Sequence, residues 1–263
     1  MFRVLWSPRW LLGHVLVAAV CVLFINLGFW QIHRLEERRL ENTVMASRLA
    51  ADSQPIEELI VGAGSDLDSL EFRGATATGE FAPIEEVLVR SQVNQGTAGW
   101  HVITPLVLAD GRAVLVNRGW VPLEMDEVPV PADPPAGEVT ISGWLGLTRI
   151  RQSGGATEPE GRLTHIARID IERLQRQMPF ELLPVYLTAD EAEISLPIAV
   201  ARPNTSDDGP HLLYAIEWFS FTVISVVGYF FLLRRAVHRS SVVSRGSGLG
   251  QPIDHSDIAE GSQ

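Results

Sequence analysis

Two uncharged apolar spans stand near the ends of the chain and bracket a long polar segment. The first runs from about Leu11 to Trp30, with no charge between Arg9 and Arg34. The second runs from about Leu212 to Leu233, and Glu217 is its only charge between Asp208 and Arg234. Twenty helical residues at a rise of about 1.5 Å reach roughly 30 Å, the hydrocarbon thickness of a bilayer. The pattern predicts two transmembrane helices that hold a polar domain against one membrane face. It divides the chain into an N-terminus (1–10), a first transmembrane helix (11–33), a domain (34–210), a second transmembrane helix (211–233) and a basic stop with a tail (234–263). From 240 onward the tail is Ser, Gly and Asp with little apolar content, and disorder is expected there.

The central segment carries 15 of the 21 Arg and 28 of the 32 Asp and Glu, a balance of −13 in a chain whose net charge is −11. An acidic domain argues against nucleic acid as a partner. It is long enough to bury one core. The sole cysteine, Cys21, lies inside the first span, so the domain has no disulfide and no thiol to offer a metal.

The first span exceeds the usual apolar core of a signal peptide, about 7–15 residues, and no small-x-small cleavage site follows it directly. A retained anchor is expected. Arg234, Arg235, Arg239 and Arg245 follow the second span, whereas only Arg202 stands close before it. The positive-inside rule then puts the C-terminus in the cytoplasm. Around the first span the count leans weakly the other way, since Arg3 and Arg9 face Arg34, Arg38, Arg39 and Arg48. Two spans force both termini to one side, and the combined count favours both termini cytoplasmic with the domain outside; the expected location is a bacterial cell membrane, with the protein multi-pass.

Within the domain, residues 34–50 read as a helix continuing from the first span, with Arg34, Glu37, Arg38 and Glu41 as spaced opposite charges. Beyond it the pattern turns to β. Strands are expected at 72–81, 86–92, 100–109, 112–122, 138–147, 184–189 and 196–201. Asp110-Gly111 between two β-branched runs is a hairpin signal. Residues 169–178 read as a short helix with Ile169, Ile171, Leu174 and Met178 as its apolar set. Pro-rich 129–135 and Gly-rich 153–161 are expected loops. The fold class is therefore a membrane protein with two terminal transmembrane helices flanking a mainly antiparallel β domain, a sheet or small barrel, with a minor helix.

Common catalytic signatures are missing. Gly246, Gly248 and Gly250 follow no strand, and Ser153-Gly154-Gly155 lacks the strand-turn-helix setting of a nucleophile elbow. His101 and His165 lie in strand-like runs, where a lone His is usually a satisfied sheet residue. Asn204-Thr205-Ser206 fits a glycosylation acceptor, a common pattern that acts only in a eukaryotic lumen.

The spans are richer. On a helical wheel His211, Tyr214, Ala215, Trp218, Thr222, Ser225 and Tyr229 fall near one line, a stripe expected to face protein or cofactor rather than lipid. Asn26, Trp30 and His33 share a face of the first span. His211 and His33 are thus candidate axial ligands to a haem iron, with Trp30, Tyr214 and Trp218 against the macrocycle. The competing reading is interfacial anchoring by aromatic and His side chains. His14 is a weaker candidate near the opposite rim. Glu217 lies off the stripe, where it is either functional or shallow enough to reach water. Arg118, beside Gly119 and Trp120 in "NRGWVP", could clamp a carboxylate such as a haem propionate or stack on an aromatic neighbour.

"GFWQIHR", "FRGATATGEF", "GWHVITPLVLADGRAVLVNRGWVP" and "HLLYAIEWF", in that order over about residues 10–235, resemble the Surfeit locus protein 1 family. The resemblance implies a non-catalytic assembly factor for cytochrome c oxidase, with the haem-bearing largest subunit, other assembly factors and membrane lipid as partners. It also implies haem a as a cofactor held at His211. The chain departs from the family in having Arg38 and Arg39 where a Lys is usual, and acidic "NTSDDGP" before His211. Two alternatives remain at this point: a membrane-tethered extracytoplasmic enzyme such as a hydrolase, and a scaffold without ligand.

Overall fold

A computed structural model describes residues 6–149, 161–190 and 196–246, with side chains as far as 238. The chain forms two compact units, one of Met1–Leu40 with Asp207–Gln263 and one of Glu41–Ser206. The expected loop at 153–161 and the tail from 247 lie almost wholly outside the described residues.

Helix α1 (Pro8–Ala50) is unbroken through the first span and the charged continuation read from 34–50. Helix α4 (His211–Gly246) begins at the expected residue but runs past 233 and into the expected tail. Both are long and apolar enough to cross a membrane.

The second unit is built on a closed five-stranded barrel. Its strands are β2 (Gly74–Phe81), β4 (Thr97–Leu108), β5 (Ala113–Pro122), β6 (Glu138–Leu147) and β8 (Leu182–Ala189). β2 pairs antiparallel with β6, β6 with β8 and β4 with β5. β5 and β8 run parallel, and a short β2–β4 antiparallel pairing from Gly79↔Leu108 to Phe81↔Leu106 shuts the ring. Three short or flanking strands complete the sheet: β1 (Gln54–Pro55) beside β2, β3 (Val87–Asn94) beside β4, and β7 (His165–Ile166) beside β3. The barrel, rather than an open sheet, resolves the two architectures the strand pattern allowed.

Glycine is required where strands of so small a barrel approach one another. A side chain at Gly143 would run into the carbonyl of Thr188 on β8. The β4–β5 hairpin turns through Ala109-Asp110-Gly111, with Gly111 at φ +85° and the Asp110 carboxylate accepting from Arg112 N at 2.9 Å. That is a three-residue turn closing on a left-handed glycine. The β3–β4 hairpin turns through Gln95 (φ +46°) and Gly96 (φ +83°), the type I′ geometry that matches strand twist.

Ala75, Ala77, Leu106, Val114, Val116 and Leu187 pack in one core cluster. Helix α2 (Ile56–Ala63) adds Ile56 and Leu59 to it. Ile56, Ile60 and Val61 give this short helix a β-like composition that masks it in the sequence. Its signals are Glu57 and Glu58 in the first turn and Gly64 at φ +57° after the last, whose N–H reaches the Ile60 carbonyl. Helix α3 (Ile171–Gln175) is the expected short helix. Asp170 caps it by accepting from Arg173 N, and Ile169, Ile171, Leu174 and Met178 are all buried. The expected strand at 196–201 is reduced to one bridge, Ile198 to Trp120, where the chain crosses Gly119 too closely for any other residue there.

Two glycine substitutions should therefore act in opposite directions. Gly143→Val should destabilise the protein by at least about 1–3 kcal/mol. Gly62→Ala, in the last turn of α2 with open space around it, should stabilise it by up to about 0.5–1 kcal/mol. Thermal unfolding of the detergent-solubilised full chain checks both, and equal Tm values for Gly143→Val and wild type would refute the close approach of β6 and β8.

Candidate functional site

Within the first unit, α1 and α4 pack antiparallel along a seam with a 3.5-residue period. On α1 the seam residues are His14, Val17, Cys21, Phe24, Gly28, Gln31 and Leu35, all partly or fully buried. On α4 they are His211, Ala215, Trp218, Thr222, Ser225 and Tyr229. Such a repeat keeps one stripe of each helix in continuous contact. Phe24 meets Trp218 with centroids 5.5 Å apart, and Gly28 has no side chain because the Phe219 ring occupies that space. At one end Tyr229 Oη and His14 Nδ1 share a hydrogen bond of 2.6 Å, and at the other Arg39 Nε donates to Asp208 at 2.8 Å.

The expected stripe on α4 thus faces protein, with one exception. Tyr214 is rotated out of the seam and is 46% exposed. On α1 the shared face of Asn26, Trp30 and His33 points away from α4: all three are exposed, Trp30 by 55%. His33 Nδ1 donates to the Phe29 carbonyl of its own helix at 3.0 Å. His211 is half-buried, and its Nδ1 lies 2.9 Å from Gln31 Oε1. The structure therefore brings His211 to Gln31 rather than to His33. Gln31 went unremarked in the sequence, though its position one heptad step from Phe24 could have revealed it. Glu217 is exposed and has no ion-pair partner among the described residues.

The amide oxygen of Gln31 only accepts, so His211 Nδ1 is the donor in this bond, and Nε2 is the nitrogen that carries the lone pair whenever the ring is neutral. Gly209, at φ +69°, lies beside that lone pair, and a Cβ there would stand 3.6 Å from Nε2. A histidine anchored through Nδ1 has the chemistry to offer Nε2 to a metal such as a haem iron. Trp30 and Tyr214 present open aromatic faces, whereas Trp218 is engaged with Phe24 and Phe221.

Arg118 belongs to the barrel unit, where it is buried. Its Nη1 donates to Glu86 Oε2 at 3.1 Å, its Nη2 donates to the Ala132 carbonyl, and its guanidinium lies 5.8 Å from the Phe81 ring centroid. Glu86 is 2% exposed and also accepts from Thr104 Oγ1 and Val130 N, both at 2.7 Å. Burial raises the Glu86 pKa against the pull of these donors and of Arg118. The cluster straps the Pro-rich 129–135 segment onto the barrel, and a propionate would have to displace Glu86 to reach Arg118. The stacking partner is Phe81 rather than the neighbouring Trp120.

His101 is also largely enclosed. Burial lowers its pKa to about 4. Gly119 N donates to Asn117 Oδ1 at 3.2 Å, which turns the Asn117 amide nitrogen toward His101 Nδ1 at 3.3 Å, a partner suited to a neutral ring. His165 packs edge-on against Trp100 with centroids 4.9 Å apart. Among the described residues, no three His, Cys, Asp or Glu side chains converge to hold a metal ion.

Residues 18–223, from within α1 through the barrel into the first half of α4, match the SURF1 family. The chain belongs to the SURF1 family, the Surfeit locus protein 1 family of the sequence resemblance. Similar SURF1 relatives span nearly their whole length with it. An uncharacterized SURF1-like protein of Mycobacterium tuberculosis is 28% identical over 226 residues, covering 85% of this chain and 83% of the relative. A SURF1-like protein of Rickettsia felis is 23% identical over 238 residues, covering 88% and 98%. One from Monosiga brevicollis is 28% identical over 239 residues, covering 85% and 88%.

Two outcomes are expected of the barrel unit of this SURF1 protein. Glu86→Ala should cost about 3–5 kcal/mol by leaving a buried guanidinium unpaired, and Glu86→Leu with Arg118→Met should recover much of it. Denaturant unfolding of the single and double variants checks this. His101 should make stability pH-dependent: the unfolded imidazole takes up a proton below about 6.5, but the folded one only near 4. Stability should be flat above that window, fall by on the order of 3 kcal/mol as pH drops through it, and flatten again below. A His101→Gln variant with the same acid sensitivity as wild type would assign the effect elsewhere.

Proposed function

We propose that this protein is a non-catalytic assembly factor for haem-copper cytochrome c oxidase in the bacterial plasma membrane. In this reading it binds the largest oxidase subunit and holds haem a on its way into that subunit. The observation that carries the proposal is SURF1-family membership over residues 18–223, which take in the barrel and part of each apolar helix. The helix pair supports it with a single prepared donor, the Nε2 atom of His211. Haem a is cargo here, and the chain's own work is to bind it: His211 would supply one axial nitrogen, and the open rings of Tyr214 and Trp30 would offer apolar cover. His33, bonded to its own helix and turned away from the seam, is left for a separate contact. The barrel unit would stand outside the cytoplasm with both termini inside, as the Arg distribution favours, and would meet the partner subunit and other assembly factors there.

The test is a deletion strain complemented with wild type or His211→Ala. Oxidase haem a content, read from the visible spectrum of solubilised membranes, should fall in the deletion, return with wild type and return only in part with His211→Ala. Purified wild type should carry haem a and co-purify with the largest subunit. Full haem a content in the deletion strain would overturn the assembly reading, and equal haem in His211→Ala would remove His211 as ligand.

A further inference from the structure

The SURF1 match names no residue, and the Gln31–His211 bond is an observation of the helix pair alone. Gln31 occupies a heptad position between Gly28 and Leu35, where an apolar side chain would pack and satisfy the period. An amide buried to 9% exposure in a seam between apolar helices needs a partner, and its carbonyl oxygen finds one in His211 Nδ1 at 2.9 Å. The bond crosses between helices whose residues lie 180 apart in the chain, so no local backbone preference creates it. His33 shows the contrast. It takes the nearest main-chain carbonyl of its own helix and stays exposed. Ahead of His211, the side chain is missing at Gly209, where a Cβ would stand 3.6 Å from Nε2.

We infer that Gln31 is a positioning residue for His211: it holds Nδ1 protonated and turned into the seam, so that Nε2 is the atom presented beside Gly209. The purpose of this arrangement rests on the reading of His211 as a haem ligand. The arrangement itself does not, because the tautomer exists with or without cargo. Outer partners that accept the far N–H of a ligating His fix its ring and raise its basicity, and removing them typically lowers affinity about 10–100-fold. A bond that only holds the helices together predicts no such dependence.

The test compares wild type, Gln31→Leu and Gln31→Glu, each as the full chain in detergent. Nitrogen-15 NMR of labelled His gives the His211 tautomer without haem, with His211→Ala to assign the signal. Titration with haem a then gives affinity. The expected result is Nδ1–H in wild type, a shift toward Nε2–H in Gln31→Leu, and retention of Nδ1–H in Gln31→Glu, which keeps an acceptor. Haem a affinity should fall about 10–100-fold in Gln31→Leu and stay within a few-fold in Gln31→Glu. An Nε2–H ring in wild type, or one unchanged in Gln31→Leu, overturns the inference. So does haem a bound through His211 with equal affinity in all three. Wild type in the Nδ1–H form that takes up no haem a upholds the Gln31 assignment and overturns the cargo reading instead.

Discussion

Helices in a bilayer gain little by burying one apolar side chain against another, because lipid tails solvate apolar groups equally well. Their pairing depends on small residues that let backbones approach and on polar groups that find each other across the seam. This constraint organises the α1–α4 pair. Gly28 admits the Phe219 ring, Ala215 is buried, and His14–Tyr229, Gln31–His211 and Arg39–Asp208 fix the register at intervals along the helices. Interhelical hydrogen bonds of this kind contribute on average about 0.6 kcal/mol each. Their larger consequence is orientation, since a register shift of one residue would rotate His211 out of the seam.

The barrel unit solves a different problem, because water surrounds it and burial drives its folding. Each side chain taken fully into such a core contributes roughly 1.5–3 kcal/mol, and one cluster collects Leu106, Val114, Val116 and Leu187 from three strands of the ring together with α2. Closure removes most of the edge that an open sheet would expose. The buried Glu86–Arg118 pair gains its satisfaction from Thr104, Val130 and Ala132. It serves to fasten a Pro-rich connection that carries few main-chain ladder bonds of its own. The same Arg that reads in sequence as an anion clamp is spent on structure.

Most elements were legible because they rest on local signals. The strand at 138–147 coincides with β6 to the residue, and Asp110-Gly111 marks the β4–β5 hairpin. The short helix at 171 shows both its cap and its apolar face. Where reading failed, the deciding interaction was distant. The stretch at 196–201 has strand composition but meets only Trp120, and α2 hides its helix under β-branched residues that the core cluster needs. The candidate site divides in the same way. His211 was visible as the head of a polar stripe. Gln31 was not, since its importance comes from a partner 180 residues away.

By itself, the sequence determined that two helices long enough for a bilayer flank an acidic β-rich domain, and that His211 begins the second helix. Length, charge and two-residue or 3.6-residue periodicity are properties of neighbouring residues, so they survive without a fold. Only the tertiary structure decided that β2 meets β4 to close a barrel and that Arg118 is locked to Glu86. It alone decided that Tyr214 and His33 turn outward while His211 turns to Gln31. Those choices depend on which surfaces meet after the chain has folded back on itself, and geometry at that distance is set by packing rather than by local pattern.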